Sequence, residues 1–199
     1  MIRLIISFVI SGTTLLAAQT VHTVPFGSSK NAIDLFVKNT DQSATIVEVT
    51  ESPNWLQFSQ KKIVLDEASI AHFTFSVDKS AVVNQTQKVV LGITNAEGKR
   101  WTKEISIQVA APTTFEVFQN YPNPFNPATS IHFQIPQAGK VVLKVFDILG
   151  KEIATLKNQE MEAGGHVAEW NAQSVSSGMY FYRLEYGGKV VVKKMLFMK

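Results

Sequence analysis

Apolar and polar residues alternate in short runs along most of this 199-residue chain. The pattern is clearest at residues 73–77 and 101–109, where every second residue is apolar or aromatic with few exceptions. A period of two residues places one face of a β-strand against a core and the other in water. Between residues 21 and 109 such runs predict about seven strands, at 33–37, 45–49, 55–58, 63–65, 73–77, 89–93 and 101–109. About seven short strands without a helical stripe are typical of an immunoglobulin-like β-sandwich.

The second half of the chain repeats this plan with different residues. Runs at 115–118, 131–135, 141–145, 152–156, 166–171, 180–184 and 189–198 are separated by turn signals, among them Ala163-Gly164-Gly165, where we expect a break. Ala110–Thr114 forms a short linker between the halves. We therefore predict an all-β protein with two small β-sandwich domains, residues 19–111 and 112–199, and no sequence repeat between them.

The first residues have the composition of a secretory signal peptide. Arg3 supplies a positive charge, residues 4–16 are mostly apolar, and Leu16-Ala17-Ala18 ends in small residues. The alternative is a membrane anchor, but the apolar run is shorter than the ~20 residues that a spanning helix needs. We predict export, with residues 1–18 removed after Ala18.

Composition narrows the function classes. The net charge is +3, and the basic residues form no cluster with interleaved aromatics, so we expect no nucleic-acid partner. The absence of cysteine excludes disulfides, thiol catalysis and a lipid-bearing cysteine after the leader. The four histidines show no metal-ligand spacing, and no G-x-S-x-G or calcium-loop motif is present. We therefore expect no enzyme activity, no metal and no cofactor.

Residues 120–127 read Asn-Tyr-Pro-Asn-Pro-Phe-Asn-Pro. The three prolines fix φ and remove three backbone donors, so neither a helix nor a central strand can continue through them. Residues that precede proline favour extended geometry. The segment, called the elbow below, is predicted to be stiff, with Tyr121 and Phe125 packed against the second sandwich.

From about residue 115 to 199 the chain resembles the type A C-terminal sorting domain of the type IX (Por) secretion system of Bacteroidetes. The matching segments occur in the family's order at 119–127, 143–147, 149–152, 163–166, 170–171, 177–184 and 193–196; Ala128 and Asn171 are the departures. The resemblance implies a sorting motif made of Asn120, Tyr121, Pro122, Asn123, Pro124, Phe125, Asn126, Pro127, Gly150, Gly178, Tyr180, Lys193 and Lys194.

The resemblance also implies partners and a destination. Proteins of this family pass through the periplasm, and the type IX translocon reads the folded C-terminal domain. A surface sortase then removes that domain and attaches the cargo to lipopolysaccharide or releases it. Here removal would fall within Ala110–Thr114, because linkers expose their backbone to proteases. The last strand, with Lys193 and Lys194, is expected at a sheet edge, where paired lysines either prevent unwanted pairing or mark a recognised end.

The role of the first domain stays open between two classes. An exposed tryptophan on a β-sandwich can stack on a sugar, so Trp55, after Ser52-Pro53-Asn54, is a candidate ligand-binding residue for a glycan. If Trp55 and Trp101 are instead buried, the domain is a structural or interaction module, which we favour. A cargo this small also leaves open a shortened form of a larger protein.

Overall fold

The computed structural model describes residues 2–9, 20–38, 44–65 and 69–199. Within these ranges the protein is all-β, as predicted, and no helix long and apolar enough to cross a membrane occurs among them. The strands are β1 (Ile2–Val9), β2 (Val21–Val24), β3 (Asn31–Lys38), β4 (Thr45–Glu51), β5 (Leu56–Phe58), β6 (Lys62–Leu65), β7 (Ser69–Val77), β8 (Thr86–Asn95), β9 (Arg100–Val109), β10 (Glu116–Val117), β11 (Ala128–Ile135), β12 (Gly139–Phe146), β13 (Glu152–Met161), β14 (Gly164–Asn171), β15 (Gly178–Tyr186) and β16 (Lys189–Phe197).

The chain divides into two compact units, residues 1–110 and 111–199. In the first unit one sheet has the order β1-β3-β7-β5 and the other β2-β9-β8-β4-β6. Ile33, Phe73, Leu91 and Ile107 come from both sheets and are fully buried in one apolar cluster, which makes the unit a β-sandwich. The order β3-β7-β5 opposite β9-β8-β4 follows the immunoglobulin plan.

All seven strands predicted for this unit are present, and the structure adds two more. β2 has only four residues, which is too short for its alternation to stand out, yet it pairs parallel with β9 and buries Val24 completely. β1 comes from the predicted leader. It pairs parallel with β3 and places Leu4 and Ile6 in the core, while residues 10–18, with the expected cleavage point at Ala18, lie outside the described residues.

The second unit is also a β-sandwich, with sheets β10-β11-β14 and β13-β12-β15-β16 around a second apolar cluster. Each of the seven predicted runs corresponds to a strand. The predicted break at Ala163-Gly164-Gly165 is wrong in part. Gly164 and Gly165 belong to β14 and pair with Ile135 and Gln134, because a neighbouring strand supplies hydrogen bonds that local glycine preference does not foresee.

Candidate sorting site

Phe125 anchors the elbow in the core of the second sandwich. Its side chain is 2% exposed, and its ring lies 5.2 Å from that of Phe197 and 5.5 Å from that of Trp170, measured between centroids. Phe197 ends β16, and Trp170 is on β14, so one aromatic ring joins the two sheets. The buried aromatic contacts therefore fix the elbow against the end of the chain.

A polar network holds the bend that precedes Phe125. The Asn120 side chain donates from Nδ2 to Thr129 Oγ1 at 2.9 Å and to the Pro122 carbonyl at 3.1 Å. Thr129 Oγ1 in turn donates to the same Pro122 carbonyl at 2.8 Å. Asn120 and Thr129 are both buried, and buried polar groups are tolerated only when hydrogen-bonded. Asn120 is thus a structural residue of the elbow rather than an exposed recognition group.

Tyr182 on β15 fastens the chain just before the elbow. Its hydroxyl donates to the Phe118 carbonyl at 2.8 Å and accepts a hydrogen bond from the Asn120 backbone N–H at 3.1 Å. Burial raises the pKa of the Tyr182 hydroxyl to about 12, and the hydrogen bond from Asn120, which lowers it, offsets only part of this effect. The neutral phenol is therefore the form that the fold requires.

The elbow covers the outer edge of the C-terminal part of β16. Asn123 Oδ1 accepts a hydrogen bond from the Leu196 N–H at 2.9 Å, and the Phe125 N–H donates to the Leu196 carbonyl at 3.0 Å. The Met198 N–H donates to the Phe125 carbonyl at 3.1 Å, while Gln119 Nε2 donates to the Lys194 carbonyl at 2.8 Å. β16 is the edge strand of its sheet, as predicted, but these hydrogen bonds with residues 119–125 already occupy its edge at residues 194–198.

Tyr121 does not pack against the sandwich, contrary to prediction. Its side chain is 78% exposed, and only its backbone pairs, with Ser130. Phe125 reaches the core whereas Tyr121 points to solvent, and the proline spacing alone does not distinguish them. Pro122, Pro124, Asn126 and Pro127 are also exposed. The bonds that precede the three prolines are cis.

The remaining predicted site residues have separate structural roles. Gly150 adopts φ +79° in the turn between β12 and β13, where its N–H donates to the Asp147 carbonyl; glycine adopts this conformation without steric cost. Gly178 begins β15, and Tyr180 is buried, donating to the Ser176 carbonyl at 2.7 Å. Lys193 and Lys194 pair with Tyr182 and Phe181 across β15–β16, and the Lys194 carbonyl accepts a hydrogen bond from Gln119, which directly precedes the elbow.

Exposed apolar side chains lie together at one end of the sheet β13-β12-β15-β16, where β16 finishes. β12 ends at Phe146, opposite Phe181 of β15, and Gly178 at the start of β15 pairs with Phe197 at the end of β16. The turn after β12, the start of β15 and the end of β16 therefore adjoin. They expose Ile148, Leu149, Met179, Leu196 and Met198, which we call the apolar end. We did not predict this set from the sequence. The feature that could have indicated it is the occurrence of apolar residues on both faces of β15 and β16.

Trp55 does not form a sugar-stacking platform. Its side chain is 8% exposed and lies in the core of the first unit, so its predicted ligand-binding role is corrected. Trp101 is partly buried, with Lys99 Nζ 5.2 Å from the ring centroid. The nearby depression of about 280 Å³ is lined by Ser52, Pro53, Asn54, Leu56, Gln57, Phe58 and Lys61. No group of three or more metal-ligating side chains occurs in the described part of the chain.

Residues 119–198 match the family model of the secretion system C-terminal sorting domain. This part of the chain is thus a secretion system C-terminal sorting domain. It is of the type IX, or Por, kind, and it implies an interaction with the type IX machinery and export across the outer membrane to the cell surface or the medium. None of the curated proteins matches this chain in sequence.

Three similar solved structures have low sequence identity to this chain. Dimeric latent PorU from Porphyromonas gingivalis is 14% identical with a TM-score of 0.34, and the match covers 80% of this chain and 16% of PorU. An endo-fucoidan hydrolase of glycoside hydrolase family 107 is 11% identical with a TM-score of 0.41, and the match covers 91% of this chain and 28% of the hydrolase. A tandem of titin immunoglobulin domains is 12% identical with a TM-score of 0.35, and the match covers 90% of this chain and 92% of the titin tandem.

Proposed function

We propose that this protein is a non-enzymatic, exported protein in which residues 112–199 deliver a small immunoglobulin-like cargo, residues 19–111, through the type IX system. The observation that carries the proposal is the closure of the elbow onto β16 through Phe125, Asn123 and Leu196. This closure makes the chain's last residues part of one folded unit. A translocon that reads a folded shape can therefore sense whether the C-terminal end is intact.

The apolar end is the surface with which the sorting domain contacts the translocon. Leu149 is 87% exposed, and Met179 and Leu196 stand side by side on β15 and β16. Clustered exposed apolar side chains on a folded domain mark interaction sites. After passage, a surface sortase cuts in the Ala110–Thr114 linker, where Thr113 and Thr114 are exposed, and the cargo is attached to lipopolysaccharide or released.

The cargo acts as a structural or interaction domain. The burial of Trp55 supports this role over carbohydrate binding, since a sugar-stacking ring has to present its face to solvent. The alternative, a carbohydrate-binding accessory module, would have to use the depression beside Asn54, Phe58 and Lys61. A pull-down of the cargo with insoluble polysaccharide distinguishes the two roles, because the polysaccharide retains only a carbohydrate-binding module.

Cell fractionation with mass spectrometry of the mature protein tests the export route. We expect the chain outside the cell, with its N-terminus at residue 19 and a C-terminus within 110–114. A chain that lacks residues 193–199 loses Leu196, Phe197 and their contacts with the elbow, so it should accumulate in the periplasm. Normal surface delivery of this truncated chain would contradict the proposal.

A further inference from the structure

The edge of β3 in the first unit is covered by the strand that the leader supplies. β1 pairs parallel with β3 from Ile2↔Asn31 to Val9↔Lys38, and β7 lies on the other side of β3. Leu4 and Ile6 of β1 are buried in the core beside the β3 side chains Ile33 and Leu35. The leader thus fills a strand position of the sandwich rather than lying loosely on its surface.

A row of hydrogen-bonded polar side chains crosses the outer face at the same place. Asp34 of β3 has a fully buried carboxylate, which accepts hydrogen bonds from Arg3 of β1 and from His72 of β7. Burial opposes ionisation of the Asp34 carboxyl, but the hydrogen bonds from Arg3 and His72 outweigh it and lower its pKa. A buried carboxylate is tolerated only with such partners, so this position requires a cation on the strand that covers β3.

Removal of residues 1–18, which is part of the proposed function, takes away Leu4, Ile6 and Arg3 together. The backbone edge of β3 is then unpaired, and unpaired edges are templates for another strand. The chain's new N-terminus does not replace β1, because β2 (Val21–Val24) is already paired with β9 on the opposite sheet and Val24 is fully buried. The vacated position is therefore open to a strand from outside the chain.

We propose that the β3 edge of the mature protein is an acceptor site for an extended segment of another polypeptide, which adds as a parallel strand in place of β1. The segment has the chemistry that β1 displays: apolar side chains at two alternate positions and an arginine or lysine one residue before the first of them, facing Asp34. In such strand addition, backbone hydrogen bonds supply affinity and side-chain pockets supply selectivity. A second copy of this chain fits less well, because two β3 edges paired across Asp34 would bring two carboxylates together.

The test uses the chain of residues 19–199 and a synthetic peptide with the sequence of residues 2–9, carrying a fluorophore and an uncharged solubilising tail. We expect saturable binding by fluorescence anisotropy and slowed hydrogen exchange at β3, with exchange at β12 unchanged. The matched controls are a peptide with Arg3→Glu and a protein with Asp34→Asn. Each should reduce the binding affinity by a factor of about ten or more, because each removes one charge-assisted pair. The full chain, residues 1–199, should not bind, because β1 occupies the site in cis.

Absence of peptide binding by residues 19–199, or equal binding with both control variants, would overturn the proposal. A β3-mediated dimer in light scattering that the peptide fails to dissociate would overturn it in favour of a second copy. The experiment uses recombinant protein, so its result does not depend on whether export occurs in the cell. Failure of the export experiment and failure of the binding experiment are therefore separate outcomes.

Discussion

The Asn123 side chain accepts a hydrogen bond from the backbone N–H of Leu196, and 2.9 Å separates the two atoms. These residues are 73 positions apart in the sequence, and the bond connects the proline-rich elbow to the last strand. Replacement of Asn123 by alanine should therefore lower the free energy of unfolding of the sorting domain by about 1 kcal/mol, the usual net value of such a bond.

Asn126→Ala is the matched control for Asn123→Ala. Asn126 is exposed in the same elbow, and its side chain makes no hydrogen bond in the part of the chain that the structure describes. Hydrogen exchange followed by mass spectrometry at β16 measures both variants. Equal exchange in the two variants would show that the Asn123 contact does not hold the last strand.

Phe125 should matter far more for stability than Tyr121. Phe125→Ala removes a buried ring that contacts Phe197 and Trp170, and truncation of a buried phenylalanine typically costs about 3–5 kcal/mol. Tyr121→Ala changes an exposed side chain and should alter stability by roughly 0.5 kcal/mol or less. Denaturant unfolding of the two variants checks this difference. Similar losses in both would mean that the elbow is not anchored by Phe125.

The Tyr182 hydroxyl should make the sorting domain sensitive to alkali. Its pKa is raised to about 12 in the fold, whereas an unperturbed tyrosine titrates near ~10. The stabilisation is fully present below pH ~10 and is lost as the pH rises to about 12, because the unfolded chain ionises first. The loss amounts to roughly 2–3 kcal/mol. The Tyr182→Phe variant should be less stable than the unaltered protein at neutral pH. Its unfolding midpoint should not show this part of the decline as the pH rises over the same range.

Asp34 should make the first unit of the full chain sensitive to acid. Its folded pKa is lowered, so its contribution to stability is present above the unfolded value of ~3.9 and disappears as the pH falls through the folded value. Asp34→Asn in residues 1–199 should flatten this part of the acid unfolding curve. An unchanged curve would show that the bonds with Arg3 and His72 do not stabilise the charged form.

Alternation of residue types was enough to predict the β-sandwich fold, because burial on one face of a strand dictates which residues occur there. It failed for β2, which is short, and for Gly164 and Gly165, whose pairing with β11 depends on a partner distant in sequence. The elbow was recognisable from its prolines. Its closure onto Leu196 was not, since no local preference reports a contact between residues this far apart.

The same limit explains the errors at single side chains. Tyr121 and Phe125 occur in similar proline contexts, and only the folded chain decides which one reaches the core. Trp55 follows a loop-like sequence but turns inward, beside Leu56 at the start of β5. The leader's composition indicated export, but nothing in it indicated that Leu4, Ile6 and Arg3 complement β3.

The apolar end should be needed for export but not for folding. Met179→Ser and Leu196→Ser change exposed side chains, so they should leave the unfolding midpoint nearly unchanged while they reduce delivery to the medium. Val167→Ser, an exposed apolar residue on β14, is the control and should be exported normally. Normal export of the two variants at the apolar end would assign the translocon contact to another surface.

The most direct measurement is delivery of an unrelated reporter that carries a signal peptide at its N-terminus and residues 112–199 at its C-terminus, in a bacterium with a working type IX system. We expect the reporter at the cell surface or in the medium, and in the periplasm when Phe125→Ala disrupts the elbow. A reporter that stays in the periplasm although the unaltered domain is folded would contradict the proposed sorting role of residues 112–199.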